Sequence, residues 1–126
     1  MVAISSPTRI DDGRPWTFED LQQLPEDVDW RRYEIVDGSL VVSPSATPDH
    51  EYAVIELAVA LRAAVPTGYH VIGATTIDLR PSYRITDVTV VSSAALRARS
   101  ARVDPADVLL AVEIVSPSSV TTDRIT

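Results

Sequence analysis

The 126-residue chain contains no cysteine and no lysine. The first absence removes disulfides, zinc–thiolate centres and cysteine nucleophiles, and it permits a cytoplasmic address. The second leaves every one of the 11 basic residues as arginine, so no side-chain amine is available as a proton acceptor. Long apolar runs are missing too: no segment approaches the roughly 18 uninterrupted apolar residues of a membrane helix. The start, Met1 to Pro7, lacks a basic stretch followed by an apolar core, so no signal peptide is expected. No glycine-rich phosphate loop is present. Ser116, Ser118 and Ser119 lack the Gly-x-Ser-x-Gly setting of a serine hydrolase. A net charge of −7 argues against a broad non-specific nucleic-acid surface but leaves room for a local basic groove.

What remains is an ordinary globular composition, 45% hydrophobic and 23% charged, in a length suited to one domain. Residues 1–15 are polar, carry Pro7, Gly13 and Pro15, and read as a loose N-terminal arm. Residues 16–126 then form a single domain. Thr17 to Leu24 predicts a short helix, with Thr17 as cap, acids in the first turn and Pro25 beyond the end. Phe18, Leu21 and Leu24 share one face. Two strand-like runs, Arg32–Val36 and Ser39–Ser43, flank Asp37-Gly38, a strong hairpin signal. Asp49 is placed to cap a helix running to about Val65, with Val54, Ile55, Leu57, Ala58, Leu61 and Val65 as a buried stripe. Tyr69–Leu79 reads as one long strand, open to a bend at Gly73. A turn at Arg80-Pro81-Ser82 leads to a second strand, Arg84–Val91. A short helix over Ser92–Arg99 precedes a third strand, Asp107–Ser116. The order predicts an α/β or α+β layered domain built on a mixed sheet.

Two carboxylates stand out because they interrupt apolar strand runs: Asp87 between Thr86 and Val88, and Glu113 between Val112 and Ile114. Alternation leaves both faces of Asp107–Ser116 apolar, as for a strand interior to a covered sheet. A buried carboxylate is costly unless a cation, a metal or several donors meet it. For either acid alone, a strand-end position or an ion pair with Arg84 or Arg124 is the simpler explanation. Together, two carboxylates with a backbone carbonyl make the hard-oxygen, partly open site that Mg²⁺ prefers, able to polarise a phosphodiester and activate water.

Several segments in order then resemble one family. Tyr33-Glu34-Ile35-Val36-Asp37-Gly38-Ser39-Leu40-Val41-Val42-Ser43-Pro44 is similar to the opening motif of the Uma two family of restriction-endonuclease-like proteins. Pro48-Asp49-His50 at a helix start, Tyr83-Arg84-Ile85-Thr86-Asp87-Val88, Val112-Glu113-Ile114-Val115-Ser116-Pro117-Ser118 and Thr122-Asp123-Arg124 follow the same pattern. The resemblance spans about Thr17 to Arg124. It implies the PD-(D/E)XK nuclease fold: a restriction-endonuclease-like mixed central sheet flanked by helices, preceded by a hairpin. It also implies metal-dependent cleavage of DNA phosphodiesters. Asp87 and Glu113 match the two metal acids, the Ile114 carbonyl would be a third ligand to Mg²⁺ or Mn²⁺, and Glu34 and His50 match positions near the catalytic site. Two departures stand out. Thr86 replaces the usual proline, and Val115 stands where the wider superfamily often carries lysine. In the family that lysine is displaced to a helix after the Asp-Arg pair, beyond Thr126, so the domain reads as C-terminally truncated. Because lysine would orient water and stabilise charge on phosphate, the expectation is a metal site with weak or no catalysis. The alternative is a non-catalytic homodimeric binding or assembly domain on the same scaffold, its apolar strand edge left open for a partner.

Other residues invite blander readings. Glu34 fits a solvated strand face better than a site, and His70 fits a structural role. His50 divides evenly between an exposed helix-start residue and a water-positioning group. Trp16, Trp30 and Tyr33 read as packing residues, and Arg97, Arg99 and Arg102 as a solvated cluster near a helix end.

Overall fold

The computed structural model describes residues 13–25 and 30–115. Most of the proposed N-terminal arm, and the stretch from Ser116 through Asp123-Arg124, lie outside the described residues. Helix α1 (Phe18–Gln22) opens with the expected device: the Thr17 hydroxyl accepts from the Asp20 N–H while the Asp20 carboxylate accepts from the Thr17 N–H. This reciprocal box satisfies two helix-start donors that would otherwise be orphaned. It sets Phe18 facing inward against Tyr83, ring centroids 5.3 Å apart. Strands β1 (Arg32–Val36) and β2 (Ser39–Ser43) form the predicted hairpin in register Val36–Ser39. Asp37 and Gly38 both take positive φ, 48° and 85°, as a two-residue turn matched to strand twist demands.

Helix α2 spans Pro48–Arg62, and its N-cap is Thr47, not Asp49. Pro48 explains the shift: its fixed φ and missing N–H suit the first helical position, which moves the cap two residues upstream. The expected stripe is only partly covered. Ile55 is exposed together with Tyr52 and Val59, and no residue of α2 is fully buried.

The two long strands expected in the second half are each divided. Tyr69–Leu79 becomes β3 (Tyr69–Ile72) and β4 (Thr75–Leu79), and Arg84–Val91 becomes β5 (Ser82–Thr86) and β6 (Val88–Ser92). In both cases the chain changes sheet at the break. A four-stranded antiparallel sheet has the order β2-β1-β5-β4, and a three-stranded one the order β3-β6-β7, where β7 is Val108–Val112. The chain crosses between them at Gly73-Ala74 and again at Asp87. Helix α3 (Ser93–Ala98) and a 3-10 turn over Pro105–Asp107 connect β6 to β7. A single parallel bridge joins Ile77 to Val103. The α+β, restriction-endonuclease-like class is borne out.

Ile35 is fully buried and forms a core cluster with Phe18 and Tyr83, flanked by Trp16 and Leu21. The guanidinium of Arg102 sits 4.5 Å from the Phe18 ring centroid and its Nε lies 3.5 Å from Asp78, so this arginine caps the core and does not belong to a free cluster. Trp30 is the opposite correction: at 81% exposed it packs against little. In the smaller sheet β6 is the centre, with Val88, Thr89, Val90 and Val91 buried. Strand β7 pairs with β6 alone among the described residues, and Leu109 and Leu110 are 51% and 42% exposed. The strand expected to be covered on both faces is therefore an edge. Among the described residues, no helix is long and apolar enough to cross a membrane.

Candidate active site

Asp87 occupies the one-residue step between β5 and β6, where the chain leaves the four-stranded sheet for the three-stranded one. A strand interior would have directed its side chain into one face of a ladder. The step instead places it between the sheets, where it is 4% exposed. Its backbone N–H donates to the Val112 carbonyl at 3.0 Å, which ties the step to the end of β7.

The carboxylate gathers donors from three separate parts of the chain. From β1, Arg32 Nη1 donates to Oδ1 at 3.0 Å. From the first turn of α2, His50 Nε2 lies 3.2 Å from Oδ2. From the segment after β7, the Ile114 N–H donates to Oδ2 at 2.7 Å. Burial pushes the Asp87 pKa upward, but the Ile114 N–H, the Arg32 bond and charge, and the His50 charge outweigh it. The carboxyl is therefore held below its ordinary value, as for a carboxylate met by several donors.

With Oδ2 as acceptor, a neutral His50 donates from Nε2 and keeps its lone pair on Nδ1. That Nδ1 is buried and has no hydrogen-bond partner. The nearest acid, Glu51 Oε1 at 3.8 Å, is too far for a hydrogen bond. Among the described residues this nitrogen therefore remains open to a proton or a ligand.

The other expected site residues divide. Glu113 lies one residue past β7, and Asp87 one residue before β6. The register Val88–Val112 therefore puts both acids at the same end of the paired strands. Glu113 is exposed, and among the described residues it makes no hydrogen bond or ion pair. Ile114 meets Asp87 through its N–H; the expected ligand atom was its carbonyl. Glu34 is not on a solvated face. It is 5% exposed inside the β1–β5 ladder, where Oε2 accepts from Arg84 Nε at 3.0 Å and from the Ile85 N–H at 2.7 Å. His70 is structural, 2.8 Å from the Ser93 hydroxyl. Arg84 pairs with Glu34 and not with Asp87.

The residue that sequence reasoning missed is Arg32. Its signal was present: alternation puts Arg32 on the same face of β1 as Glu34, so one strand face offers a cation and an anion two residues apart. Which acid Arg32 meets depends on where β5 ends.

With this geometry in place, the comparison with known families is decisive. The model of the Uma2 family, described as "Putative restriction endonuclease", matches residues 18–126. The chain belongs to the Uma2 family. No curated protein and no solved structure matches it. Membership supports a nuclease-like function, and restriction-endonuclease-like proteins generally use divalent metals. In its chemistry the donor set fits such an ion: two carboxylates at one end of a strand pair, beside an unpartnered buried imidazole nitrogen. In its present arrangement it is not a ready-made cage. Both Asp87 oxygens are already engaged, and among the described residues no group of three or more His, Cys, Asp or Glu side chains could hold a metal.

Proposed function

We propose that this Uma2 protein is a cytoplasmic nuclease-like domain that binds DNA and cleaves its phosphodiesters with Mg²⁺ or Mn²⁺. The observation that carries the reading is the convergence on buried Asp87 of donors from β1, α2 and the segment after β7. A structural ion pair needs one partner; this carboxylate has three, and Glu113, unpaired among the described residues, sits at the same end of the β6–β7 pair. Asp87 and Glu113, with the backbone at Ile114, are the residues that would hold the cation. When bound, the cation supplies Lewis-acid polarisation of the phosphodiester and lowers the pKa of water. His50 offers a proton-accepting Nδ1, held in orientation by the Nε2 bond to Asp87. Glu34 fixes β5 against β1 and so positions the step that carries Asp87.

Plasmid nicking in Mg²⁺ or Mn²⁺, paired with cation titration of wild type and Asp87→Ala, tests the proposal. Nicking that persists undiminished in Asp87→Ala, or cation affinity unchanged by that substitution, overturns the site.

A second reading, the homodimeric assembly domain, is favoured by the β7 edge. An apolar strand with half-exposed Leu109 and Leu110 and no charged residue invites pairing with a second copy. Sedimentation at assay concentrations decides it: a monomeric mass rejects the assembly reading and leaves the nuclease reading standing.

A further inference from the structure

The contact between Arg32 and Asp87 has a chemical consequence for that same site. Arg32 Nη1 makes its bond to Oδ1, the oxygen that neither His50 nor Ile114 touches. A guanidinium carries five donors in a planar fork, and among the described residues this one uses a single donor, on Asp87. The side chain is 28% exposed against 5% for its partner, so one end is anchored and the rest reaches the surface. We propose that Arg32 is a phosphate-contacting residue held on Asp87 in the free protein, where it takes the place of a divalent cation. Phosphate of the substrate draws it off, so that DNA binding and cation binding favour one another.

The physical argument is one of competition. A guanidinium at 3.0 Å and a divalent ion on Oδ1 cannot share the same oxygen without strong like-charge repulsion. An arginine fork is also well matched to phosphate, on which it can make two parallel bonds where it now makes one on Asp87. Moving the fork from carboxylate to phosphate leaves Asp87 Oδ1 without its cation just as substrate arrives, while Oδ2 keeps His50 and the Ile114 N–H, which raises its affinity for a cation. By linkage, the cation must strengthen DNA binding by the same factor.

The inference rests on the proposed function, and the test separates the two. Mn²⁺ affinity is measured by electron paramagnetic resonance on the full chain without DNA, for wild type, Arg32→Gln, Arg32→Lys and Asp87→Asn. Affinity for a short DNA duplex is measured separately in chelator across a salt series. Arg32→Gln is expected to bind Mn²⁺ about tenfold more tightly, equivalent to about 1.4 kcal/mol, and to lower the salt slope of DNA binding by about 0.9. Arg32→Lys keeps that slope, which guards against a general loss of structure. In chelator, Asp87→Asn strengthens DNA binding more in the wild-type background than in Arg32→Gln, because only the former has an arginine to release. Unchanged or weaker Mn²⁺ binding in Arg32→Gln, with Asp87→Asn abolishing it, overturns the exchange but leaves the site. Mn²⁺ binding unaffected by Asp87→Asn overturns the site itself, and the exchange with it.

Discussion

Glu34 and Asp87 are both buried acids, and each accepts one arginine and one backbone N–H. Glu34 lies on β1 beside the Ile35–Tyr83 pair that joins β1 to β5, and its two donors come from adjacent residues of β5. Asp87 lies where the chain changes sheet. Its donors come from β1, α2 and the segment after β7, and one of them is a histidine with an unpartnered nitrogen. Composition of the contact therefore does not separate Glu34 from the proposed metal ligand Asp87. What separates them is whether the donors belong to one rigid element or to several that can part.

The largest expected contrast comes from isosteric amides. Asp87→Asn should weaken Mn²⁺ binding by about 100-fold, the scale of losses at metal sites, whereas Glu34→Gln should leave it within about twofold. Both should lower stability by about 1–3 kcal/mol, because each leaves a partly buried arginine short of its acceptor charge. Calorimetry for stability and paramagnetic resonance for Mn²⁺ read the two effects separately. If Glu34→Gln matches Asp87→Asn in cation loss, the distinction between the two acids fails.

A smaller contrast lies in acid. The Asp87 pKa is held below its ordinary value of 3.8 in the folded protein. The unfolded chain therefore binds the proton more readily, so stability rises with pH through that window. The contribution of Asp87 is complete above about pH 5 and is lost as pH falls below about 4 through the depressed value. In denaturant titrations the gap between wild type and Asp87→Asn should narrow below about pH 4; a gap that widens there would reverse the assigned shift.

The smallest effect should come from Thr17→Ala, remote from both acids. Loss of the cap at α1 should cost about 1 kcal/mol and leave cation affinity alone. A change in Mn²⁺ binding would mean that the Phe18–Tyr83 core, and through it β5, transmits to the step at Asp87.

Much of the fold was legible because it is local. The Thr17–Asp20 box and the Asp37-Gly38 turn use contacts within a few residues. The α2 cap was misplaced by two residues because Pro48 takes the first helical position and leaves the cap to Thr47. Strand divisions were not legible: Tyr69–Leu79 and Arg84–Val91 are good strand sequences throughout, and nothing in their alternation shows that the chain changes sheet at Gly73-Ala74 and Asp87. The site was half legible. The sequence singled out Asp87 and His50, which the structure brings into contact, and Glu113, which it leaves exposed; Glu34 was expected in solvent and is buried, and Arg32 was missed.

The sequence alone determined family membership, the order of elements and the presence of acids where apolar strands should not hold them. These follow from residue type and spacing, which survive without coordinates. Only the tertiary structure decided that Asp87 is a step and not a strand residue, that β7 pairs with β6 alone among the described residues, and that Arg32 occupies the carboxylate. Those outcomes depend on which strands pair over long separations, and pairing is chosen by the burial of whole faces, not by any residue's neighbours in the chain.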